Sequence, residues 1–263
     1  MHDHLQSYLD FAVETAYLAG RLTLGYFQGD LQPELKADNS PVTVADRKAE
    51  ELIRDRIAAH YPGHAIVGEE FGTTGSEGAS HRWFIDPIDG TKAFARGVPL
   101  YAVLLGLEIE GQVRAGAAYY PALNEMLAGA TGLGAWWNGR RARVSNVQRL
   151  DKAYVSCSDV GGFAAHGRGR AWERLQAAVY HRVGWSDAYG YLLVATGRIE
   201  IMLDPSMNAY DCGPFPPIFQ EAGGYFGDWQ GNPSIYAGEA LATTQALLPQ
   251  VLALIREAEA DSA

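Results

Sequence analysis

The segment from Asp86 to Thr91 reads Asp-Pro-Ile-Asp-Gly-Thr and carries the residues best suited to chemistry. Its carboxylates, Asp86 and Asp89, lie three residues apart, so they can converge and would then repel each other. A hard divalent cation relieves such repulsion, and a backbone carbonyl such as that of Ile88 can join as a third oxygen ligand. At Gly90 the chain can enter a helix, whose first amides hold an anionic oxygen well. The segment therefore predicts a metal site beside a phosphate site.

Two other interpretations of this segment remain open. An Asp-Pro-x-Asp-Gly stretch, taken alone, is typical of a turn with capping aspartates. The segment also approaches the Asp-x-Asp-Gly-Thr signature of hydrolases that form an aspartyl phosphate, but one extra residue separates the aspartates here. That residue changes which side chains face the site, and it argues against a covalent aspartyl mechanism.

Further acidic residues lie at the ends of predicted elements. Glu69 and Glu70 end a predicted strand, where solvated glutamates are common. Asp46 opens a predicted helix and Asp211 precedes another, and capping is the ordinary role of each. Acidic sites that all lie at the ends of elements are harder to explain by capping when they are taken together.

The elements that must position these residues follow from hydrophobic periodicity. Amphipathic helices are predicted over about 3–28 and 45–60, a further helix after Asp211, and a last one over about 245–257. A strand over 82–85 feeds Asp86 and is expected to stop at Pro87, which cannot donate to a ladder. Other strands are predicted over 65–68, 100–109, 113–120, 127–130 and 135–137, with alternating strands and helices from 153 onward.

The composition changes after Val144. Before that residue the elements form an antiparallel meander, and after it strands and helices alternate. We therefore expect an N-terminal α+β domain over 1–145 that carries the metal-binding motifs. A C-terminal α/β domain over 146–263 is expected to complete the site.

Composition also excludes several function classes. The net charge of −10 argues against nucleic-acid binding, and no apolar run reaches the ~18 residues of a membrane span. Two cysteines are too few for a disulfide scaffold and fit a reducing cytoplasm. The histidines show no mutual spacing for zinc. An anionic substrate would have to be drawn in by bound cations, because the net charge of the protein repels it.

These residues resemble the inositol monophosphatase-like family of metal-dependent phosphatases. The order and spacing of the motifs agree with that family, and the resemblance covers nearly the whole chain. The matching pieces are Pro41-Val42-Thr43-Val44-Ala45-Asp46, Gly68-Glu69-Glu70, the segment Asp86–Thr91, Tyr210-Asp211 and Glu221-Ala222-Gly223-Gly224.

The resemblance implies an α+β or α/β fold, a layered αβαβα sandwich with the site between its halves. It implies two or three Mg²⁺ ions, whose ligands would be Glu69, Asp86, the Ile88 carbonyl, Asp89 and Asp211. Thr91 and Asp46 would orient the attacking water, and Glu70 would support that water or a further metal. The implied substrate contacts are Asp89, Gly90, Thr91, Asp187, Tyr189, Asp204 and Asp211.

The segment 185–191, Trp-Ser-Asp-Ala-Tyr-Gly-Tyr, is similar to the histidinol-phosphate phosphatase branch. Ser186 and Ala188 depart from the Gly and Cys that the branch tends to show. The ammonium and imidazole of histidinol phosphate could pair with Asp187 and Asp204, and a tyrosine such as Tyr189 could offer a ring face. The alternative is that the tyrosines of this helix are core packing.

A second departure follows the last acidic residue of the site. Gly213 and Pro214 come directly after it, with Pro216 and Pro217 close behind. Because proline lacks the backbone N–H, these residues argue against a regular helix starting there.

The expected function is a magnesium-dependent phosphomonoesterase that acts on a small phosphate ester. Histidinol phosphate is favoured over inositol 1-phosphate, with 3′-phosphoadenosine 5′-phosphate and fructose 1,6-bisphosphate as further candidates. A non-catalytic protein that binds a metal or a phosphate ligand is the alternative of a different class. We expect a cytoplasmic homodimer with no nucleic-acid or membrane partner.

Overall fold

The computed structural model describes residues 2–29, 34–35, 41–76, 78–184 and 187–261. The helices within these ranges are α1 His2–Leu24, α2 Val44–His60, α3 Thr91–Ala95, α4 Val160–Ala165, α5 Gly169–Ala178, α6 Ala188–Ala195, α7 Ala209–Cys212, α8 Phe215–Ala222 and α9 Leu248–Ala260. The strands are β1 Glu34–Leu35, β2 Pro41–Val42, β3 Ala65–Gly68, β4 Gly72–Thr74, β5 His81–Asp89, β6 Ala102–Ile109, β7 Gln112–Tyr120, β8 Glu125–Ala130, β9 Gly134–Trp137, β10 Arg140–Arg141, β11 Tyr154–Ser156, β12 His181–Val183, β13 Ile201–Asp204, β14 Gly224–Gly227 and β15 Ala240–Thr244.

The strands from β3 to β10 form one large sheet in the order β10-β9-β8-β7-β6-β5-β3-β4. Its neighbours are antiparallel except for β3 and β5, which run parallel, so β3 and β5 end at the same edge. The residues that follow β3 and those that close β5 are thereby brought together, as the sequence required of its acidic motifs.

A second sheet has the order β12-β11-β13-β15-β14. Strands β11, β12 and β13 are parallel, and β15 runs antiparallel to both β13 and β14. The short strands β1 and β2 pair only with each other.

Helices cover these sheets in alternating layers. Helices α1 and α2 pack on one face of the large sheet, and α6, α7 and α8 lie between the two sheets. Helices α5 and α9 pack on each other and cover the outer face of the second sheet. The predicted αβαβα sandwich is confirmed, because each sheet buries both of its faces against helices.

The predicted break near residue 145 coincides with the change of sheet, since β10 ends at Arg141 and β11 begins at Tyr154. The core between the sheets draws on both sides of that point. It includes Phe84 and Leu104 from the large sheet together with Leu192 and Phe215 from the later helices. A boundary between two domains at residue 145 stays a prediction.

The region around Asp211, which is followed by Pro214, Pro216 and Pro217, forms two helices rather than one. Helix α7 ends at Cys212, Gly213 continues in helical conformation, and α8 begins at Phe215 with proline in its first turn. Prolines are tolerated there because the first-turn amides have no partner within the helix. The expected helix after Asp211 is present as α8, and the prolines do not prevent its start. Asp211 itself lies inside the short helix α7 rather than before a helix.

The link between α7 and α8 rests directly on two glycines of the large sheet, and α8 itself rests on a third. Gly106, Gly116 and Gly129 lie side by side on β6, β7 and β8. A Cβ on Gly106 would lie 2.3 Å from the carbonyl carbon of Gly213, and one on Gly116 would lie 2.2 Å from the Pro214 oxygen. This glycine row lets backbone pack on backbone, which fixes the height of α7 above the sheet.

None of the described helices combines the length and the apolar character that crossing a bilayer requires.

Candidate active site

Asp86 and Asp89 face the same side of β5 because the strand contains a β-bulge. Asp86 pairs with Leu104 and Asp89 with Ala102, so two residues of β5 lie opposite Val103 alone. Residues three apart in a regular strand point to opposite faces, and the extra residue cancels that alternation. The expected end of the strand at Pro87 is wrong: β5 continues to Asp89, because a bulge tolerates the missing N–H of proline.

Asp211 completes an acidic cluster with these two residues. One carboxylate oxygen from each of Asp86, Asp89 and Asp211 lies within 4.8 Å of the others. Asp86 is only 3% exposed, and its Oδ1 accepts the N–H of Ile88 at 3.0 Å. Among the described residues, no lysine, arginine or histidine forms an ion pair with any of the three.

Burial and mutual repulsion act on the protonation of this cluster. Burial, followed by the Glu69, Asp89 and Asp211 carboxylates, raises the pKa of Asp86 well above its ordinary value. Burial and then the carboxylates of Asp187 and Asp211 do the same to the pKa of Asp89. Burial also raises the pKa of Asp211. Converging oxygens that lack a cationic side chain fit a hard divalent cation, which would remove the cost of holding them together.

Glu69 reaches the same cluster from the end of β3. Its backbone N–H donates to the Ile85 carbonyl at 3.1 Å, which continues the parallel pairing of β3 and β5 beyond the last strand residue. A side-chain hydrogen bond links Glu69 with Asp86. Glu70, the next residue, is half-buried, and its backbone N–H is held by Glu50 of α2 at 2.7 Å.

Asp46 and Thr91 form a second element of the site. Asp46 is fully buried at the third position of α2, and the hydroxyl of Thr91 lies 3.2 Å from Asp46 Oδ1 and 3.0 Å from the Ile88 carbonyl. Burial raises the pKa of Asp46. A hydroxyl has one proton to donate and lone pairs to accept with, so Thr91 can donate to Asp46 and accept from a water molecule.

Helix α3 begins at Thr91, as the sequence predicted, and Gly90 lies before it in the left-handed conformation with φ +86°. A Cβ at Gly90 would meet an Asp187 carboxylate oxygen at 2.9 Å and the Leu100 carbonyl at 3.1 Å. Glycine is therefore required here both for its backbone conformation and for the space.

The start of α6 lies directly against this segment. Asp187 has φ +59° and ψ −153°, a strained combination for a residue with a side chain. Its N–H donates to Ser158 Oγ at 3.0 Å, and the next N–H, of Ala188, donates to Asp89 Oδ2 at 2.5 Å. Asp187 lies 98 residues after Asp89 in the sequence. The fold nevertheless brings Asp187 against the acidic cluster, at the junction of the two sheets.

The remaining predicted substrate contacts occupy different places. Asp204 is 2% exposed, and its carboxylate accepts the Ser158 N–H and the Tyr191 hydroxyl, each at 2.8 Å. Tyr189 is half-buried with its ring 5.7 Å from that of Tyr120. Asp204 therefore faces protein donors, and Tyr189 takes part in the core packing that the sequence left as an alternative. Trp185 and Ser186 lie outside the described residues.

Comparisons with known proteins agree with this geometry. The model of the inositol monophosphatase family matches residues 4–260. The chain belongs to the inositol monophosphatase family. A histidinol-phosphatase of Chlorobaculum parvum is 40% identical over 96% of this chain and 98% of that protein. An inositol-1-monophosphatase of Mesorhizobium japonicum is 34% identical over 88% of this chain and 91% of its own length.

Solved structures give the same family. The crystal structure of extragenic suppressor protein suhB from Bartonella henselae has a TM-score of 0.88 at 26% identity, covering 95% of this chain and 99% of that one. As a member of the inositol monophosphatase family, the chain is a hydrolase of phosphoric monoesters. The family is generally dependent on Mg²⁺, which agrees with the acidic cluster.

Several residues that shape the site of this phosphatase were missed by sequence reasoning. Thr43 caps α2 and donates its N–H and hydroxyl to Asp46, and the Thr-x-x-Asp spacing was a usable signal. Glu50 and Ser158 carried no such signal, because their partners are distant in sequence.

Proposed function

We propose that this phosphatase is a magnesium-dependent enzyme whose site consists of the acidic cluster and the Asp46–Thr91 pair. The observation that carries the proposal is the convergence of three carboxylates within 4.8 Å, beside a buried acid bonded to a hydroxyl. Hydrolysis of a phosphate monoester needs positive charge on the phosphate and an oriented water, and this arrangement provides a place for both.

Five groups would hold the metal: the carboxylates of Glu69, Asp86, Asp89 and Asp211, and the carbonyl of Ile88. When bound, Mg²⁺ would neutralise the phosphate oxygens, lower the pKa of a bound water and stabilise the leaving oxygen. Two or three ions are proposed, in line with the number of carboxylates.

The protein groups have separate tasks in this proposal. The Thr91 hydroxyl donates to Asp46 and accepts a hydrogen bond from the attacking water, so it orients the lone pair of that water toward phosphorus. Asp46, whose pKa is raised by burial, accepts the Thr91 hydroxyl proton when that hydroxyl takes a proton from the water. Amides at Gly90 and Thr91 hold a phosphate oxygen at the start of α3. Glu70 supports the water or a further metal.

For the substrate we propose histidinol phosphate. The support is the carboxylate of Asp187 beside Gly90, which can pair with the ammonium of the leaving group, and the identity of 40% with a histidinol-phosphatase. Inositol has only neutral hydroxyls and gains less from an acid at this place. Asp204 would not contact the substrate directly, because Tyr191 closes off its carboxylate. It would support Asp187 through Ser158, which bonds to both aspartates.

The test is a panel of kcat/KM values for histidinol phosphate, inositol 1-phosphate, 3′-phosphoadenosine 5′-phosphate and fructose 1,6-bisphosphate, with Mg²⁺ and with EDTA. We expect activity only with Mg²⁺ and a preference for histidinol phosphate. Asp187→Asn should lower that preference about 10- to 100-fold and leave inositol 1-phosphate unchanged. Asp159→Asn, at an exposed cap of α4, is the control. Equal rates on all four esters would refute the substrate.

The second candidate is inositol 1-phosphate, which the 34% identity with an inositol-1-monophosphatase favours. A cytoplasmic location and a homodimer stay predictions, as does the absence of nucleic-acid partners. Phosphate release that stays at the uncatalysed background, both with Mg²⁺ and with EDTA, would favour the non-catalytic alternative.

A further inference from the structure

Glu50 lies one turn after Asp46 on α2 and is fully buried. One of its carboxylate oxygens accepts the N–H of Glu70 at 2.7 Å, and the other accepts that of Phe71 at 3.2 Å. These are the first two amides after Glu69, in the turn that follows β3. A buried carboxylate is costly unless it is paired and hydrogen-bonded, so this one is held in place by specific partners.

Arg54, one turn further along α2, supplies the compensating charge. Its Nε donates to Glu50 Oε1 at 2.7 Å, and its guanidinium also donates to the Gly72 carbonyl and, at 3.0 Å, to Thr74 Oγ1. The Glu50–Arg54 clamp, meaning these two side chains together, therefore fastens both the turn after β3 and the strand β4 to a single helix.

Gly68, the last residue of β3, makes room for this clamp. A Cβ there would lie 2.0 Å from Glu50 Oε1 and 2.7 Å from an Arg54 nitrogen. Because Glu50 is enclosed and bonded on both oxygens, it has no free space into which to withdraw. The close approach of the clamp to the turn thus depends on glycine at position 68.

We propose that the Glu50–Arg54 clamp is a positioning device that holds Glu69 and Glu70 in the acidic site and so sets its affinity for the cation. Glu69 faces the Asp86 carboxylate, and the two like charges repel when both are ionised and no cation is bound. The clamp opposes that repulsion through the backbone. Asp46, which orients the attacking water through Thr91, lies on the same helix. Helix α2 therefore positions Asp46 together with Glu69 and Glu70.

This inference rests on the proposed function, and its test measures Mg²⁺ binding to the whole protein by titration calorimetry. In Glu50→Gln we expect the dissociation constant of Mg²⁺ to rise about tenfold, the lower end for residues that support metal ligands indirectly. Amide hydrogen exchange at Glu70 and Phe71, measured without metal, should become faster. Gly68→Ala should reproduce both effects by displacing Glu50.

Two further variants complete the design. Ile53→Val removes one methyl group from the fully buried face of the same helix and changes none of the groups that form the hydrogen bonds of the clamp. It should lower the melting temperature with unchanged Mg²⁺ affinity. Arg54→Lys keeps the charge but loses the forked contacts to Gly72 and Thr74, so it gives a milder test if the other variants do not fold.

The outcomes separate the two proposals. Wild-type hydrolysis that requires Mg²⁺, together with an unchanged Mg²⁺ affinity in Glu50→Gln and Gly68→Ala, would overturn the clamp and leave the proposed function standing. A wild-type protein that binds no Mg²⁺ and releases no phosphate would overturn both. Weaker Mg²⁺ binding in the clamp variants, without the same loss in Ile53→Val, supports the positioning role.

Discussion

Asp46 and Asp211 occupy the same position in two different helices. Each is the third residue of its helix, and its Oδ2 accepts the backbone N–H of the capping residue: Thr43 at 2.8 Å and Asn208 at 2.7 Å. The capping box thus uses one oxygen of each acid and leaves Oδ1 for the site. In each aspartate, one carboxylate oxygen caps the helix and the other is available to the site. The capping role and the functional role therefore do not exclude each other.

Thr91→Ala should lower kcat about 10²- to 10³-fold with little change in KM, because it removes the hydroxyl that orients the water while leaving the acidic cluster intact. Steady-state kinetics at saturating Mg²⁺ measure this effect. Thr91→Ser keeps the hydroxyl and should retain most of the activity. Equal losses in both variants would show that the hydroxyl is not responsible.

Asp86→Asn should separate stability from metal binding. The change removes a buried negative charge that faces Glu69, Asp89 and Asp211, so the melting temperature without metal should rise or stay unchanged. The stabilisation that Mg²⁺ gives the wild type should be largely lost, and kcat should fall by orders of magnitude. Thermal denaturation with and without Mg²⁺ measures both, and an unchanged metal response would contradict the ligand assignment.

The stabilising effect of Mg²⁺ should increase as the pH rises. The pKa values of Asp86, Asp89 and Asp211 are raised in the folded chain, so these groups bind protons more tightly when folded. Without metal, the free energy of unfolding should therefore fall as the pH rises from about 4 through the raised pKa values. Mg²⁺ displaces those protons, so its stabilising effect should be larger at about pH 8 than at about pH 5.

The titration of His64 changes stability in the opposite direction. For this reason stability has to be measured both with and without Mg²⁺ at each pH. Burial, followed by the neighbouring His81, lowers the pKa of His64 to about 4, so stability is lost as the pH falls from about 6.5 to about 4. His64 contributes equally with and without Mg²⁺. Melting curves in EDTA should therefore be subtracted from those in Mg²⁺ at each pH, and a difference that does not depend on pH would contradict the prediction.

Gly116→Ala should disturb the site from a distance. Its Cβ would lie 2.2 Å from the Pro214 oxygen, so the backbone between α7 and α8 would have to move and carry Asp211 with it. We expect a stability loss of about 1–3 kcal/mol and weaker Mg²⁺ binding. Gly129→Ala is the matched control, because its Cβ would lie 3.2 Å from Ile218 Cα, far along α8 from Asp211. A Mg²⁺ affinity that falls equally in both variants would show that the glycine row does not position the acid.

Long periodic elements were predictable from the sequence. The two predicted N-terminal helices correspond to α1 and α2, and the predicted hairpin to β6 and β7, within a few residues. Strands as short as β4, which pairs with β3, carry too few residues for a periodic pattern. Arg54 of α2 also bonds to this strand, a contact that no local pattern reveals.

The candidate site was predictable in part, for a physical reason. The motifs that were recognised are local runs, and the structure brings Glu69, Asp86, Asp89 and Asp211 together. What the sequence could not give is the second partner of each side chain. The closure of Asp204 by Tyr191 is a tertiary contact that composition does not encode.

Because of the bulge in β5, the active site depends on the number of residues between Asp86 and Asp89. Replacing Pro87 or Ile88 alters packing, whereas deleting either would remove the bulge. The two carboxylates, then two residues apart, would still share a face, but the backbone N–H that bonds Asp86 and the carbonyl that accepts from Thr91 would be displaced. A single-codon deletion at this place is therefore not equivalent to any substitution. Engineering that shortens this stretch should be expected to change the site through the backbone groups of the bulge, while the carboxylates keep their face and the rest of the sheet survives.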